Sequence, residues 1–126
     1  MSYVVKTTLS TEVSGAFAST EVSTFSGTFD TALVCSQWTT QQYALTSDSA
    51  VTVNLSAVDS EANYVSVRVI GSKVIVRITT SDGTSQIVPV DTFFVLRCDS
   101  VPITAMTLTR TAGSSASVTL ILAKKD

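Results

Sequence analysis

The side chains that carry most enzymatic chemistry are scarce in this chain. Histidine is absent from its 126 residues, which removes the commonest general base and the commonest neutral metal ligand. A serine triad therefore has no imidazole, and neither Cys35 nor Cys98 has a partner to activate its thiol. Two thiols also fall short of the four N or S ligands that close a structural zinc site. The patterns GxxxxGK(S/T), GxGxxG and GxSxG do not occur. Acid pairs remain. Asp59 and Glu61 stand two apart, and with Asp48 they have the composition of a glycosidase pair or an oxygen-ligand calcium site. The EF-hand spacing is missing, however, and acids between strands ordinarily face water, so solvated loops are the preferred reading for all three. Asp82 is accounted for by its turn. No catalytic residue, metal or cofactor is expected, and the chain is read as a non-enzyme.

One cluster could recognise a ligand instead. Trp38, Gln41, Gln42 and Tyr43 (WTTQQY) combine aromatic faces with amides, the combination by which β-sandwich modules stack on sugars and hydrogen-bond their hydroxyls. Against this, a sole Trp in a sandwich more often fills the core, and core filling is the preferred expectation for Trp38. Tyr43 is a candidate for a subunit contact. Asn54-Leu55-Ser56 matches a glycosylation acceptor but lies within an expected strand of a chain without a signal-peptide pattern, and is set aside.

These residues must be positioned by strands. The chain holds 19 Ser, 20 Thr and 18 Val against five Gly and two Pro, a composition suited to pleated surfaces with one wet face and unlike that of disordered chains or helix bundles. The net charge of −2 gives no electrostatic ground for nucleic-acid binding. It is unevenly spread: residues 1–67 hold one base and six acids, a net of −5, whereas residues 68–126 hold seven bases and four acids, a net of +3. Such asymmetry would let copies attract one another, but a mere difference in loop composition also accounts for it and is the preferred reading. Apolar runs are a few residues long, far short of a bilayer span, so no membrane partner is expected. The opening MSYVVKTTLS lacks a basic region followed by an apolar stretch, so the expected place of synthesis is a cytoplasm. There Cys35 and Cys98 are expected as free thiols facing the core.

The second half alternates clearly. Asn63–Ile70 (NYVSVRVI) places Val65, Val67 and Val69 on one face and Tyr64, Ser66 and Arg68 on the other. Gly71-Ser72 reads as a type II′ turn into Lys73–Thr80, pairing Val69 with Val74, Val67 with Val76 and Val65 with Ile78. Asp82-Gly83 reads as a two-residue turn that sets Ile87 opposite Ile78 and Pro89 opposite Val76, and Pro89 makes Thr84–Val90 either an edge strand or one that bends away to another sheet. Thr92–Cys98, with Phe94, Leu96 and Cys98 inward, is a further strand. Ile103–Arg110 sets Ile103, Ala105 and Thr107 against Met106 and Leu108, and Ser117–Ala123 completes this half. In the first half Tyr3–Leu9, Thr31–Cys35 and Val51–Leu55 read as strands. Between Thr11 and Thr28 the chain is nearly uncharged, which suits either short strands or an arm ordered by contact with a neighbour. The expectation is one domain over 1–126, with 1–30 an extended N-terminal arm. Thr11, Phe17, Phe25 and Phe29 of that arm, together with Arg68 and Arg77 on facing outer strands, are interface candidates. About eight or nine short strands with turns between them imply an all-β fold, a single antiparallel β-sandwich with jelly-roll the preferred topology.

The stretch VPITAMTLTRTAGSSASVTLILAKKD, a strand ITAMTLTR followed by a small Gly/Ser turn and a terminal apolar strand SVTLILA, resembles small virion structural proteins of tailed phages. The resemblance covers Tyr64–Ala123. It implies a jelly-roll-like sandwich on the particle (a capsid decoration, head spike or tail accessory protein), homo-oligomeric, contacting other capsid or tail proteins and assembled in the host cytoplasm. The alternative is a carbohydrate- or receptor-binding module of a fibre or tail, using Trp38, Gln41, Gln42 and Tyr43.

Overall fold

A computed structural model describes residues 2–13, 25–111 and 113–126. Among these residues nine strands, all paired antiparallel, form two sheets. They are β1 (Tyr3–Val13), β2 (Phe25–Leu45), β3 (Val51–Thr52), β4 (Tyr64–Gly71), β5 (Val74–Thr80), β6 (Ser85–Val90), β7 (Phe93–Arg97), β8 (Ile103–Arg110) and β9 (Ala116–Lys125), with one 3₁₀ turn at Ser56–Val58. The first sheet runs β1-β2-β9-β4-β7 and the second β3-β8-β5-β6. With β1 set aside, this is the strand order of a jelly roll. The all-β antiparallel sandwich expected from composition and periodicity is therefore the fold, although β2, at 21 residues, is not short.

The core lies between the sheets, filled by the apolar half of each alternating strand. Val65, Val67 and Val69 of β4 and Val118, Leu120 and Leu122 of β9 meet Val74, Val76 and Ile78 of β5 and Met106 and Leu108 of β8, all buried. Val53, Leu55 and Val58 close one side although β3 itself covers only Val51 and Thr52. The backbone leaves the ladder after Val53, whose N–H still reaches the Met106 carbonyl at 3.0 Å.

Two expected registers are corrected. Strands β4 and β5 do not form a hairpin: β4 pairs with β7 and β9, and β5 with β6 and β8. Gly71-Ser72-Lys73 carries the chain from one sheet to the other, so the valines expected side by side face one another across the core. Arg68 and Arg77 consequently lie on different sheets, both exposed. The β5–β6 hairpin does form, but its loop has three residues. Gly83 N–H donates to the Thr80 carbonyl at 2.9 Å, and Thr80 N–H to Thr84 at 3.0 Å, with Gly83 at φ +85, the turn-plus-bulge form. The extra residue slips the register by one, so Val76 pairs with Val88 and Arg77 with Ile87. Ile87 turns outward and is 64% exposed. Strand β6 is an edge, the first of the two arrangements that Pro89 leaves open. Strand β8 corrects a third expectation. A register shift opposite Thr79 and Thr80 lets Ile103, Met106 and Leu108 all face the core while Ala105 is exposed.

A second, smaller core lies on the other side of the first sheet. Strand β2 pairs with β9 only over Cys35–Leu45, and with β1 over Phe25–Cys35. The β1–β2 ribbon thus runs past the sheet. The register shift between Cys35 and Gln37 inverts the side-chain alternation, so Leu33 and Cys35 face away from the main core and pack with Tyr64 and Ala123, flanked by Val5, Val95 and Ile121. Tyr64, expected on the wet face, is 3% exposed, its hydroxyl 2.5 Å from Thr7 Oγ1.

Beside this cluster, Asn63 prolongs both ladders of β4 beyond its end. Its N–H donates to the Ala123 carbonyl and its C=O accepts from Cys98 N–H, both at 2.8 Å. Its side chain donates to the Cys98 carbonyl at 2.9 Å and accepts from Lys125 N–H at 2.8 Å. Asn63→Ala orphans both of the latter groups and is expected to cost about 2 kcal/mol in urea unfolding. Asn54→Ala, an exposed amide with one side-chain bond to Ser56 N–H, should cost well under half of that.

Candidate functional site

The expected ligand cluster lies on β2, where alternation splits it. Gln41 and Tyr43 point to the inner side. Tyr43 packs against the main core, its hydroxyl donates to Gln41 Oε1 and accepts from Asn54 N–H at 3.1 Å. Gln41 Nε2 donates to the Asn54 carbonyl at 2.7 Å. These two side chains are spent on tying β2 to the segment after β3. Trp38 and Gln42 point the other way and are exposed. Trp38, at 47% exposure, is not the core plug that its uniqueness suggested.

Trp38 instead forms one wall of a surface depression of about 250 Å³, lined also by Tyr3, Val4, Val5 and Ile121. The Tyr3 and Trp38 rings meet edge to face, with centroids 6.1 Å apart and planes at 66°, a geometry aromatic quadrupoles favour. Strand register brings them together, because Tyr3 pairs with Cys35 and Trp38 with Ala123. Sequence reading missed Tyr3 and Ile121. The available signal was the outward parity of Ile121 next to buried Leu120 and Leu122. Further apolar side chains stand open: Val4 and Val34 on the ribbon, Ile70 on β4 and Phe93 on β7.

The interface candidates are dispersed. Arg68 and Arg77 are on opposite faces of the sandwich. Thr11, Phe25 and Phe29 are placed by their backbone, opposite Gly27, Val13 and Leu9 in the ribbon. Phe17 lies outside the described residues. So does most of the segment Thr11–Thr28, whose two ends belong to β1 and β2.

The three acids do not assemble. Asp48 pairs with Arg110 Nε at 3.0 Å, at the end of the sandwich where β9 begins. Asp59 and Glu61 share Lys124 Nζ, at 3.5 and 3.6 Å, near the end of β9. Gln37 Nε2 also donates to Asp59 at 2.8 Å, and this bond, with the Lys124 charge adding to it, holds the Asp59 carboxyl below its ordinary range. Among the described residues no group of three or more Cys, Asp or Glu could hold a metal ion. Both thiols are free. Cys35 is buried in the small core, whereas Cys98, expected inside, is only half-buried. It lines a cleft of about 130 Å³ between the sheets with Leu96, Ile78 and Thr84. Burial raises both thiols above their usual pKa, with Asp126 and Asp99 adding to the shift at Cys35 and Cys98. Both are thereby less nucleophilic than a free cysteine.

Beyond β7, Arg97 and Asp99 clasp one another through two bonds of 2.8 and 3.1 Å, lowering the carboxyl and raising the guanidinium. Arg97 Nη1 also donates to the Ala32 carbonyl at 3.0 Å, pinning the ribbon to the sheet. These ion pairs and amide bonds position elements rather than converge on a reacting atom. Among the described residues, the depression beside the ribbon combines two aromatic rings with aliphatic walls, and a second depression of about 310 Å³ lies over β5 and β8, lined by Arg77, Thr79, Met106 and Thr107. No protein-family model matches the chain, and no match is found among curated proteins or solved structures.

Proposed function

We propose that the chain is a non-enzymatic structural component of a bacteriophage particle, a capsid decoration or spike protein acting through contacts with its own copies and with the particle lattice. The observation that carries this reading is the β1–β2 ribbon, which continues past Cys35 to Val13↔Phe25 with no third strand among the described residues. A two-stranded ribbon is marginal alone in water, so this one suits an element completed by a neighbour. Tyr3 and Trp38 beside it, and Val4 and Val34 on its opposite face, are exposed apolar side chains that a neighbour could cover. The jelly-roll order is a fold that viral capsid proteins use, which favours the reading by analogy. Many modest contacts repeated by symmetry would hold such a protein on a particle. The test is mass spectrometry of gradient-purified particles from the genome that encodes the sequence. A fixed copy number retained through the gradient is expected, and absence from the particle overturns the reading.

A second reading, a glycan-binding module, is favoured by one observation: Trp38 is exposed with Tyr3 edge-on to it. The sole tryptophan should then emit at long wavelength and be quenched by acrylamide. Under the structural reading its spectrum stays unmoved by a glycan panel. A saccharide that shifts it, with the response lost in Trp38→Ala, would transfer the function to this second class.

A further inference from the structure

We infer that two copies of this chain join edge to edge through β1, antiparallel about a two-fold axis at Leu9. The inference rests on the reading of the chain as an assembly module and names the contact by which copies would associate.

Sheet edges invite pairing, and proteins usually blunt them. Here β3 has two residues, β6 carries Pro89, and β7 has five residues. Strand β1 is different: eleven residues, no Gly or Pro, and no register shift along its length. It lies at the edge of the first sheet.

Backbone geometry says which of its groups are open. The carbonyls of Val34 and Ala32 accept bonds from Asp126 N–H at 3.1 Å and Arg97 Nη1 at 3.0 Å, so both point away from β1. Val4↔Val34 and Lys6↔Ala32 are therefore non-hydrogen-bonded pairs. By the alternation of antiparallel ladders, the N–H and C=O groups of Val4, Lys6, Thr8, Ser10 and Glu12 face the open edge.

The sequence Val5–Val13, VKTTLSTEV, is self-complementary when reversed. A two-fold at Leu9 sets Leu9 against Leu9, Thr8 against Ser10, Thr7 against Thr11, Lys6 against Glu12 and Val5 against Val13. In this register each apolar position stands opposite an apolar one and each charged position opposite one of the other sign, twice by symmetry. The pairs that would exchange backbone bonds, Thr8 with Ser10 and Lys6 with Glu12, are those whose groups face outward. Moving the axis to Thr8 sets Glu12 against Val4, and moving it to Ser10 sets Thr7 against Val13. Neither matches. Pairing at Leu9 would join the two first sheets into one continuous sheet.

Sedimentation equilibrium of the full chain tests this. The natural protein should dimerise. Lys6→Glu and Glu12→Lys should each weaken the dimer by about tenfold or more, since each places two like-charged pairs across the axis. The double variant Lys6→Glu/Glu12→Lys should restore it. Thr8→Pro removes an outward N–H that β2 does not use, and should give a folded monomer by circular dichroism. A natural protein that stays monomeric, single reversals without effect, or a double variant that fails to recover each overturns the pairing. Monomers that are nonetheless retained in purified particles overturn the pairing alone. Dimers that obey the charge reversals but are absent from particles overturn the assembly reading alone.

Discussion

Leu120→Ala is expected to cost about 3–5 kcal/mol, a large share of the roughly 5–15 kcal/mol that holds a domain folded. Leu120 is fully buried at the middle of β9, the strand flanked by β2 on one side and β4 on the other, opposite Gln41 and Val67. Its side chain projects between the sheets, where the valines of β4 and β5 converge. Those neighbours are β-branched and stiff at χ1, so they have little freedom to swing into the space a leucine vacates. The cavity term should therefore stand almost in full beside the lost transfer energy. Ile121→Ala is the internal control. It sits on the same strand one residue on, half-buried over the small core, and should cost less than half as much. Urea midpoints of the two variants with unchanged slopes would measure the difference. Equal losses would mean that β9 does not separate a main core from an outer face.

The alternation behind that contrast is legible in the sequence itself. Val65, Val67 and Val69, then Val74, Val76 and Ile78, announce buried faces because a period of two cannot serve any other regular structure. What periodicity does not encode is whether two apolar faces lie side by side in one sheet or opposite one another in two. Val69 and Val74 satisfy the hydrophobic effect either way, and Gly71-Ser72 is compatible with both. The slip at Asp82-Gly83 has a similar origin, since Asp-Gly fits a two-residue turn and a three-residue loop ending in glycine alike. Only Ile87, pointing outward opposite Arg77, separates them. At the candidate site the obstacle was the irregularity between Cys35 and Gln37, one residue that inverts every side chain before it. Composition marked Trp38 as unusual, but its face depends on that bulge, and its partner Tyr3 lies 35 positions away in sequence. The split of Gln41 and Tyr43 from Trp38 and Gln42 was implicit in strand parity, once the segment was known to be a strand.

Gly71→Ala should separate the two possible meanings of the Gly71-Ser72 turn, with an expected loss of about 3 kcal/mol or more. Gly71 has φ +103, where an L side chain is strained. A Cβ there would also lie 2.6 Å from the Ser115 carbonyl oxygen and 3.3 Å from Ala116 Cα. Both are backbone atoms, so no side-chain rotation relieves the overlap. Ser115 belongs to the β8–β9 connection, which passes between the sheets beside the β4–β5 connection. The two crossings are laced by Ser72 N–H to Ser115 O at 3.3 Å and Thr111 N–H to Lys73 O at 3.1 Å. Opening one to admit a methyl group loosens the other. Gly83 provides the comparison, with φ +85 and nothing within 4 Å of its would-be Cβ. Gly83→Ala should lose only the backbone term, about 1–2 kcal/mol. If β4 and β5 were a hairpin with a free turn, the two alanines would cost the same, because neither Cβ would meet another segment. The excess at Gly71 thus reports the packing of one inter-sheet crossing on the next, and equal losses in paired urea titrations would overturn the two-sheet assignment of β4 and β5.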